Sequence, residues 1–379
     1  MEEALRLARL GLGTASPNPM VGAVVVNEGR IVGTGYHERP GRPHAEAVAL
    51  EAAGEKARGA TLYVTLEPCS HYGRTPPCAD LIIQRGVRRV VAAMEDPNPL
   101  VAGRGFARLR DAGVDVSVGL LQDAAAELNE AFITYITKRR PFIHLKTAMS
   151  LDGKIACHTG ASQWITGPLA RQEVHRLRSV HDGIMVGIGT VLADDPRLTV
   201  RLDPENPPEG PYTHLHPIRI VVDSKGRLPL SARVLEGAGE QTEVIVATTA
   251  AAPASFVQAL RDRGVRVWQG DAANGRVDLQ ALLEDLAEFG IGSILVEAGP
   301  TLAGALFDLD LVDRVTTFIA PLIIGGEKAP TSVGGVGAAH PDQGRRLVRV
   351  QTRQFGPDLM ITGSVQREGA QCSPALSKK

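Results

Sequence analysis

His44-Ala45-Glu46, Pro68-Cys69 and Cys78 are the residues of this sequence whose types and spacing most plainly suit one chemistry. Zinc takes His nitrogen and Cys thiolate in a tetrahedral shell, and a catalytic zinc keeps one position for water. One His and two Cys supply three ligands and leave that position open. Bound zinc lowers the pKa of water from about 15.7 to about 7, so hydroxide is available at neutral pH. Glu46 follows the ligand His by two residues, where a carboxylate reaches the water without binding the metal. It can then carry the water's proton to leaving ammonia, which is hydrolytic deamination. A structural zinc clip is the rival reading and would close the shell with a fourth ligand. His71, between the two cysteines, could serve, but a helical His-x-Glu then has no role.

These residues need elements to hold them. Residues 2–11 carry apolar groups at helical spacing (Ala4, Leu7, Ala8), and 20–26 with 31–36 predict a hairpin around Asn27-Glu28-Gly29-Arg30. His44 to Ala53 reads as a helix ended by Gly54. An apolar strand at 61–67 leads to Pro68-Cys69, and Cys78 to Arg85 reads as a helix stopped by Gly86. A strand at 87–94, a helix at 104–112, a strand at 114–118 and a helix at about 123–138 follow. Strands interleaved with helices predict a layered α/β fold. Arg139-Arg140-Pro141 marks a boundary, because proline lacks a donor and restricts the residue before it. The units expected are 1–141 and 142–367, with 368–379 a disordered tail. The second unit is again α/β, with strands at 142–148, 184–188, 218–223, 243–248, 265–268, 293–297 and 314–320. Its helices are expected at 168–180, 253–263, 278–289 and 301–307.

The bulk numbers narrow the partners. In 379 residues, 41 Lys and Arg nearly balance 42 Asp and Glu, for a net charge of -1. No basic arm exists to track a nucleic acid, which favours a small-molecule substrate. No apolar run is long enough for a membrane span. The acidic start Met1-Glu2-Glu3 lacks the plan of a secretory signal. Only four cysteines occur, two of them in the metal motif, which suits a reducing compartment. A cytoplasmic enzyme with no membrane or nucleic-acid partner is expected, as a homo-oligomer.

The zinc residues are similar to those of the cytidine-deaminase superfamily. Most of that superfamily shows a short Pro-Cys-x-x-Cys, whereas Cys69 and Cys78 here enclose Ser-His-Tyr-Gly-Arg-Thr-Pro-Pro. That longer loop, Ser16-Pro17-Asn18-Pro19-Met20-Val21-Gly22 upstream, and Glu95-Asp96-Pro97-Asn98-Pro99 with Gly103-Arg104-Gly105 downstream resemble the bifunctional riboflavin-biosynthesis deaminase–reductase family. The resemblance implies zinc on His44, Cys69 and Cys78, Glu46 as the proton shuttle and Asn18 against the pyrimidine. It places His71, Arg74 and the Asp96–Asn98 loop at the rim.

The second unit carries its own set. Lys146-Thr147-Ala148-Met149-Ser150-Leu151-Asp152-Gly153-Lys154 runs a strand into a glycine-bearing loop. Ser162-Gln163-Trp164, Arg178, Gly187-Ile188-Gly189-Thr190 and Asp194-Asp195-Pro196 follow, and Glu297-Ala298-Gly299-Pro300-Thr301 links a strand to a helix start. Backbone N–H groups at such a start can hold a phosphate. Gly187-Ile188-Gly189 is no dinucleotide fingerprint, since Leu192 stands where the third glycine belongs. Taken singly, Trp164 also reads as core and Asp194-Asp195-Pro196 as a turn. Together the set resembles the same family's reductase domain, with a dihydrofolate-reductase-like fold, so the resemblance covers about residues 1–367. It implies that NADPH contacts Ala148, Trp164, Thr190, Asp194, Ser224 and the turn Gly299, Pro300, Thr301, Leu302, Ala303, Gly304 and Ala305. It implies substrate contacts at Lys146, Ser162, Arg178, Leu198, Arg201 and Glu297, for a phosphoribosylated pyrimidine. The alternatives are a nucleic-acid or nucleoside deaminase with an accessory domain, which predicts a basic groove and a short Cys-x-x-Cys, and an inert structural-zinc module.

Overall fold

The computed structural model describes residues 1–71, 76–99, 101–205, 207–208, 212–213 and 215–367. Arg74, expected at the rim, and the expected tail at 368–379 with Cys372 lie outside the described residues.

The first half is built on a five-stranded sheet in the order β2-β1-β3-β4-β5. Its elements run α1 (Glu2–Ala8), β1 (Gly22–Asn27), β2 (Arg30–Tyr36), α2 (Ala45–Ala53), β3 (Thr61–Val64), α3 (Cys78–Gln84), β4 (Arg89–Ala92), α4 (Arg104–Asp111) and β5 (Asp115–Val118). The β1–β2 turn places Glu28 and Gly29 at φ 49° and 74°, the left-handed pair that a two-residue hairpin requires. Strands β3, β4 and β5 are parallel, so their C-terminal ends open on one edge. Helix α2 lies unusually close on β2. Ala45, Ala49 and Ala53 are buried at four-residue spacing, facing Gly33 and Gly35. A Cβ on Gly33 would stand 2.2 Å from the Ala49 carbonyl, and one on Gly35 2.5 Å from that of Ala45. Only glycine permits this approach, and it fixes where the N-terminus of α2 points.

The single helix expected over about 123–138 is two, α5 (Gln122–Leu128) and α6 (Glu130–Lys138). They break at Asn129, whose buried amide accepts from the Met20 N–H at 2.8 Å and donates to the Met20 carbonyl at 3.0 Å. The side chain thus pairs with a distant loop as a strand would, and this outweighs helix continuity.

The second half holds a nine-stranded sheet in the order β10-β9-β8-β7-β13-β6-β14-β16-β15. Its elements are β6 (Phe142–Ser150), α7 (Pro168–Ser179), β7 (Gly183–Gly187), α8 (Ile188–Asp194), β8 (Ile218–Val222), β9 (Val244–Thr249), α9 (Ala254–Arg261), β10 (Arg266–Gly270), the short pair β11 (Ala272–Ala273) and β12 (Arg276–Val277), α10 (Leu279–Glu288), β13 (Ser293–Val296), α11 (Pro300–Asp308), β14 (Arg314–Ala320), β15 (Leu347–Phe355) and β16 (Asp358–Val365). From β10 to β14 all neighbours are parallel, and β16 and β15 add an antiparallel edge. The central strands are buried on both faces, which is why 183–187 and 293–296 read as apolar runs. No helix among the described residues is long and apolar enough to cross a membrane.

A hydrogen-bonded relay crosses the second core. His181 Nδ1 donates to the Leu177 carbonyl at 2.7 Å, so its Nε2 is the acceptor for His144 Nδ1 at 3.2 Å. His144 Nε2 then accepts from Thr316 Oγ1 at 2.8 Å. This is the bonding pattern of two neutral rings. Burial pushes His181 down to about 4 and His144 well below the ordinary value. An unfolded His takes up its proton near pH 6.5, so below that pH the unfolded chain binds more protons and stability falls until about pH 4. For His181 the loss at pH 5.5 is roughly 1.4 kcal/mol. His181→Asn, which keeps an acceptor for His144, should lose less stability between pH 7.5 and 5.5 by about that amount in denaturant titrations. Equal losses in the two proteins would show that the relay does not set the acid sensitivity.

Candidate active sites

The first site forms where two helix N-termini meet. His44 is the residue preceding α2, and Cys78 opens α3. Cys69 lies between β3 and α3; its sulfur accepts from the Cys78 N–H at 3.3 Å, and its carbonyl from the Ala79 N–H at 3.1 Å. His44 Nδ1 stands 3.6 Å from Cys69 Sγ and 3.3 Å from Cys78 Sγ. All three ligand atoms lie within 4.8 Å of one another. A tetrahedron with Zn–S near 2.3 Å and Zn–N near 2.0–2.1 Å has an N···S edge of about 3.5 Å. The donor set therefore fits zinc. His71, the candidate fourth ligand of a structural clip, is exposed and is not part of this cluster.

The three ligand side chains shift one another's proton affinity strongly. A hydrogen bond with Cys78 and one with His44, working against burial, draw the Cys69 thiol down to about 4, while Cys78 is pushed up. Bonding to Cys69 raises His44 to about 9. Glu46 is buried at 3% exposure in the first turn of α2, and that burial pushes its carboxyl up to about 7.

Two residues with no expected role organise the surroundings. Buried His37 bonds the Pro43 carbonyl through Nδ1 at 3.2 Å and meets Asn18 Nδ2 through Nε2 at 3.0 Å. Its ring lies edge-on to His44, 5.5 Å between centroids. Donation from Nδ1 leaves Nε2 as an acceptor, which orients the Asn18 amide beside the metal ligands. Glu67 is buried and accepts the N–H groups of Asp96, Gly103, Gly105 and Phe106 at 3.2, 2.9, 2.8 and 3.3 Å. It thereby holds the Asp96–Asn98 loop and the start of α4 next to Cys69. A charged residue ending an apolar strand at Pro68-Cys69 was the available signal.

The second site is a cavity of about 420 Å³ at the C-terminal ends of β6, β7 and β13, where parallel sheets place their ligands. Its walls include Lys146, Ala148, Ser162, Trp164, Arg178, Thr190, Asp194, Leu198, Arg201, Glu297 and Gly299, all of them expected. Glu297 is the hub. Arg178 reaches it with Nε at 2.6 Å and Nη2 at 3.0 Å, and Lys146 Nζ lies at 3.4 Å. Burial opposes its ionisation, but Arg178 and Lys146 outweigh that and hold it at about 2. Ser162 donates to Asp194 at 2.6 Å, and Arg171 stacks over Trp164 at 4.4 Å at the mouth. Arg201 is lowered by burial and then by Arg178, Arg197 and Arg233, so positive charge gathers on one wall. Leu198 is buried at a left-handed φ of 55°, the kind of backbone position that clusters at functional sites.

Several expected residues lie apart. Of the 299–305 stretch only Gly299 lines the cavity. Thr301 is exposed in the first turn of α11, Leu302 and Ala303 pack into the core, and Gly304 meets the backbone of Gly334 and Gly335. Ser224 holds the chain itself, accepting from the Val277 N–H at 3.0 Å and, through its carbonyl, from Thr249 at 2.7 Å. Asn18 belongs to the first site. Arg171, His175, Arg197 and Arg233 line the cavity without having been expected; isolated charges in loops and helices carry no spacing signal.

Both halves of the chain match known families. Residues 1–94 match the cytidine and deoxycytidylate deaminase zinc-binding region, and residues 141–361 match the RibD C-terminal domain. The riboflavin biosynthesis protein RibD of Aquifex aeolicus is 45% identical over 361 residues, 95% of this chain and 96% of that protein. The Escherichia coli protein of that name is 48% identical over 336 residues, 86% and 88% of the two chains. The solved structure of Acinetobacter baumannii RibD superposes with a TM-score of 0.83 at 39% identity, over 97% of this chain and 98% of that one. A diaminohydroxyphosphoribosylaminopyrimidine deaminase/5-amino-6-(5-phosphoribosylamino)uracil reductase from Thermotoga maritima gives 0.81 at 40% identity, over 97% of both chains. The chain belongs to the RibD family of riboflavin biosynthesis proteins.

Proposed function

We propose that this chain performs two consecutive steps of riboflavin biosynthesis, deaminating a diaminopyrimidinone that bears a phosphoribosylamino group and then reducing its ribosyl part to ribityl. The observation that carries the reading is the pairing, in one chain of this family, of an open His-Cys-Cys cluster beside buried Glu46 with a cationic cavity around Glu297. We assign the deaminase to residues 1–141 and the reductase to 142–367, since α6 ends at Lys138 and β6 begins at Phe142.

In the first site His44, Cys69 and Cys78 hold zinc, which supplies Lewis-acid activation of water near neutral pH. Glu46 takes the proton of the attacking water and returns it to the departing ammonia. Asn18, oriented by His37, holds the pyrimidine edge. In the second site NADPH supplies the hydride. Ala148, Trp164, Thr190, Asp194 and the Gly299–Thr301 start of α11 hold this cofactor, the helix N–H groups suiting its phosphates. Arg178 and Arg201 hold the substrate phosphate through charge-assisted bonds. Lys146, steadied by Glu297, gives a proton to the ring oxygen as the C1′–O bond of the ribose breaks and the exocyclic nitrogen forms the iminium that hydride would reduce. The cavity walls would hold that carbon in place, which is where positioning lowers the barrier. The substrate is a small molecule rather than a nucleic acid, the protein works in the cytoplasm, and a homo-oligomer is its assembly.

The reading is tested by following ammonia release and NADPH oxidation together. Glu46→Gln should release no ammonia yet reduce supplied deaminated intermediate at the wild-type rate, and zinc chelation should give the same split. Loss of both activities in Glu46→Gln, or neither, would overturn it. Arg201→Ala should raise KM for that phosphorylated intermediate roughly ten-fold or more; an unchanged KM would remove Arg201 from the phosphate site.

A further inference from the structure

The loop carrying Asn18 is fastened by side-chain bonds at four points, and one of them lies in the other half of the molecule. Thr14 donates to the Glu38 carbonyl at 2.7 Å, Asn18 meets His37, and Met20 is paired by Asn129. Ser16 instead donates across to Asp182 Oδ2 at 2.7 Å, in the turn between α7 and β7. That same oxygen accepts the N–H groups of Gly292 and Ser293 at 3.0 and 2.8 Å and the Ser293 hydroxyl at 3.0 Å. Asp182 is thus locked to the start of β13, the strand that leads to Glu297. Gly292 makes room for the contact, since a Cβ there would stand 2.9 Å from Ser16 Oγ. Just upstream, Gly13 at φ 77° lies against the end of α7, where a Cβ would meet the Ser179 carbonyl at 3.0 Å. Gly13, Ser16 and Pro17 therefore lie against the second half of the molecule.

We infer that Ser16 and Asp182 form a positioning pin, through which the reductase half holds the Asn18 loop of the deaminase site in its substrate-binding conformation. Neither residue touches the reacting atoms. The chain of contacts runs from Asp182 to Ser16, along two residues of backbone to Asn18, and through His37 to the wall of His44. This rests on the reading that Asn18 contacts the pyrimidine. Without the pin the loop keeps its Thr14, His37 and Asn129 ties but loses the bond two residues before Asn18. The amide then samples orientations that cannot bind substrate. Ground-state affinity suffers first, while Glu46 and the metal ligands stay in place.

Ser16→Ala removes only this bond and leaves the internal bonds of Asp182 intact, so it separates the pin from the stability of β13. It should raise KM for deamination roughly five- to ten-fold, with kcat within about two-fold of wild type and reduction of supplied deaminated intermediate unchanged. Asp182→Asn should shift deamination in the same direction. Asn18→Ala, measured alongside, should impair deamination more strongly. If Asn18→Ala is impaired while Ser16→Ala keeps a wild-type KM, the pin is wrong and the role of Asn18 stands. If Asn18→Ala is itself unimpaired, both fall. A parallel loss of deamination and reduction in Ser16→Ala would show general destabilisation and also overturn the proposal.

Discussion

His44, Cys69 and Cys78 come from three separate stretches of chain, and the first half of the molecule depends on bringing their donor atoms to one point. The requirement is strict, because tetrahedral zinc asks for N···S edges near 3.5 Å, and the structure supplies 3.6 and 3.3 Å. Helix α2 meets it by lying on Gly33 and Gly35 with an alanine seam. Helix α3 meets it by giving its first two free N–H groups to Cys69. Glu46 is carried to the same point by its place in the first turn of α2, buried beside His44, Cys69 and Cys78.

The second site solves a different problem. Its carboxylate is ionised and matched by Arg178 and Lys146 rather than isolated, and the arginines along one wall exceed what Glu297 neutralises. Such an excess suits an anionic ligand. In the proposed function the two surroundings divide the chemistry: the buried Glu46 carboxylate beside the His-Cys-Cys cluster would serve proton transfer, while the ionic scaffold around Glu297 would hold a phosphorylated sugar still for hydride transfer. In that proposal the phosphate survives deamination, so the product of the first site would retain the handle that the second one grips.

Much of this was legible in the sequence, for physical reasons that differ by element. Buried parallel strands announced themselves as apolar runs, and glycines marked the ends of α2 and α3. The zinc residues were legible because few residue types bind zinc and because His44-Ala45-Glu46 and Pro68-Cys69 are each short motifs. The β15–β16 hairpin was not legible, since its outer strand shows mostly exposed residues, Arg349, Gln351 and Gln354 among them, and so no alternation. The break at Asn129 was hidden because its cause, Met20, is 109 residues away. His37 and Glu67 act through hydrogen bonds to backbone and amide groups, which no local pattern encodes. The resemblance supplied Leu198 and Arg201, which composition and spacing alone would never single out. It also named Ser224 and the interior of α11, where the chain places packing and backbone support.

The central claim is an open three-ligand zinc site, and X-ray absorption at the zinc edge of the purified protein tests it most directly. The account predicts one zinc per chain with two sulfurs, one imidazole and one further light donor that is not imidazole, unchanged in His71→Ala. A second imidazole that disappears in His71→Ala would mean a closed structural shell and would contradict it.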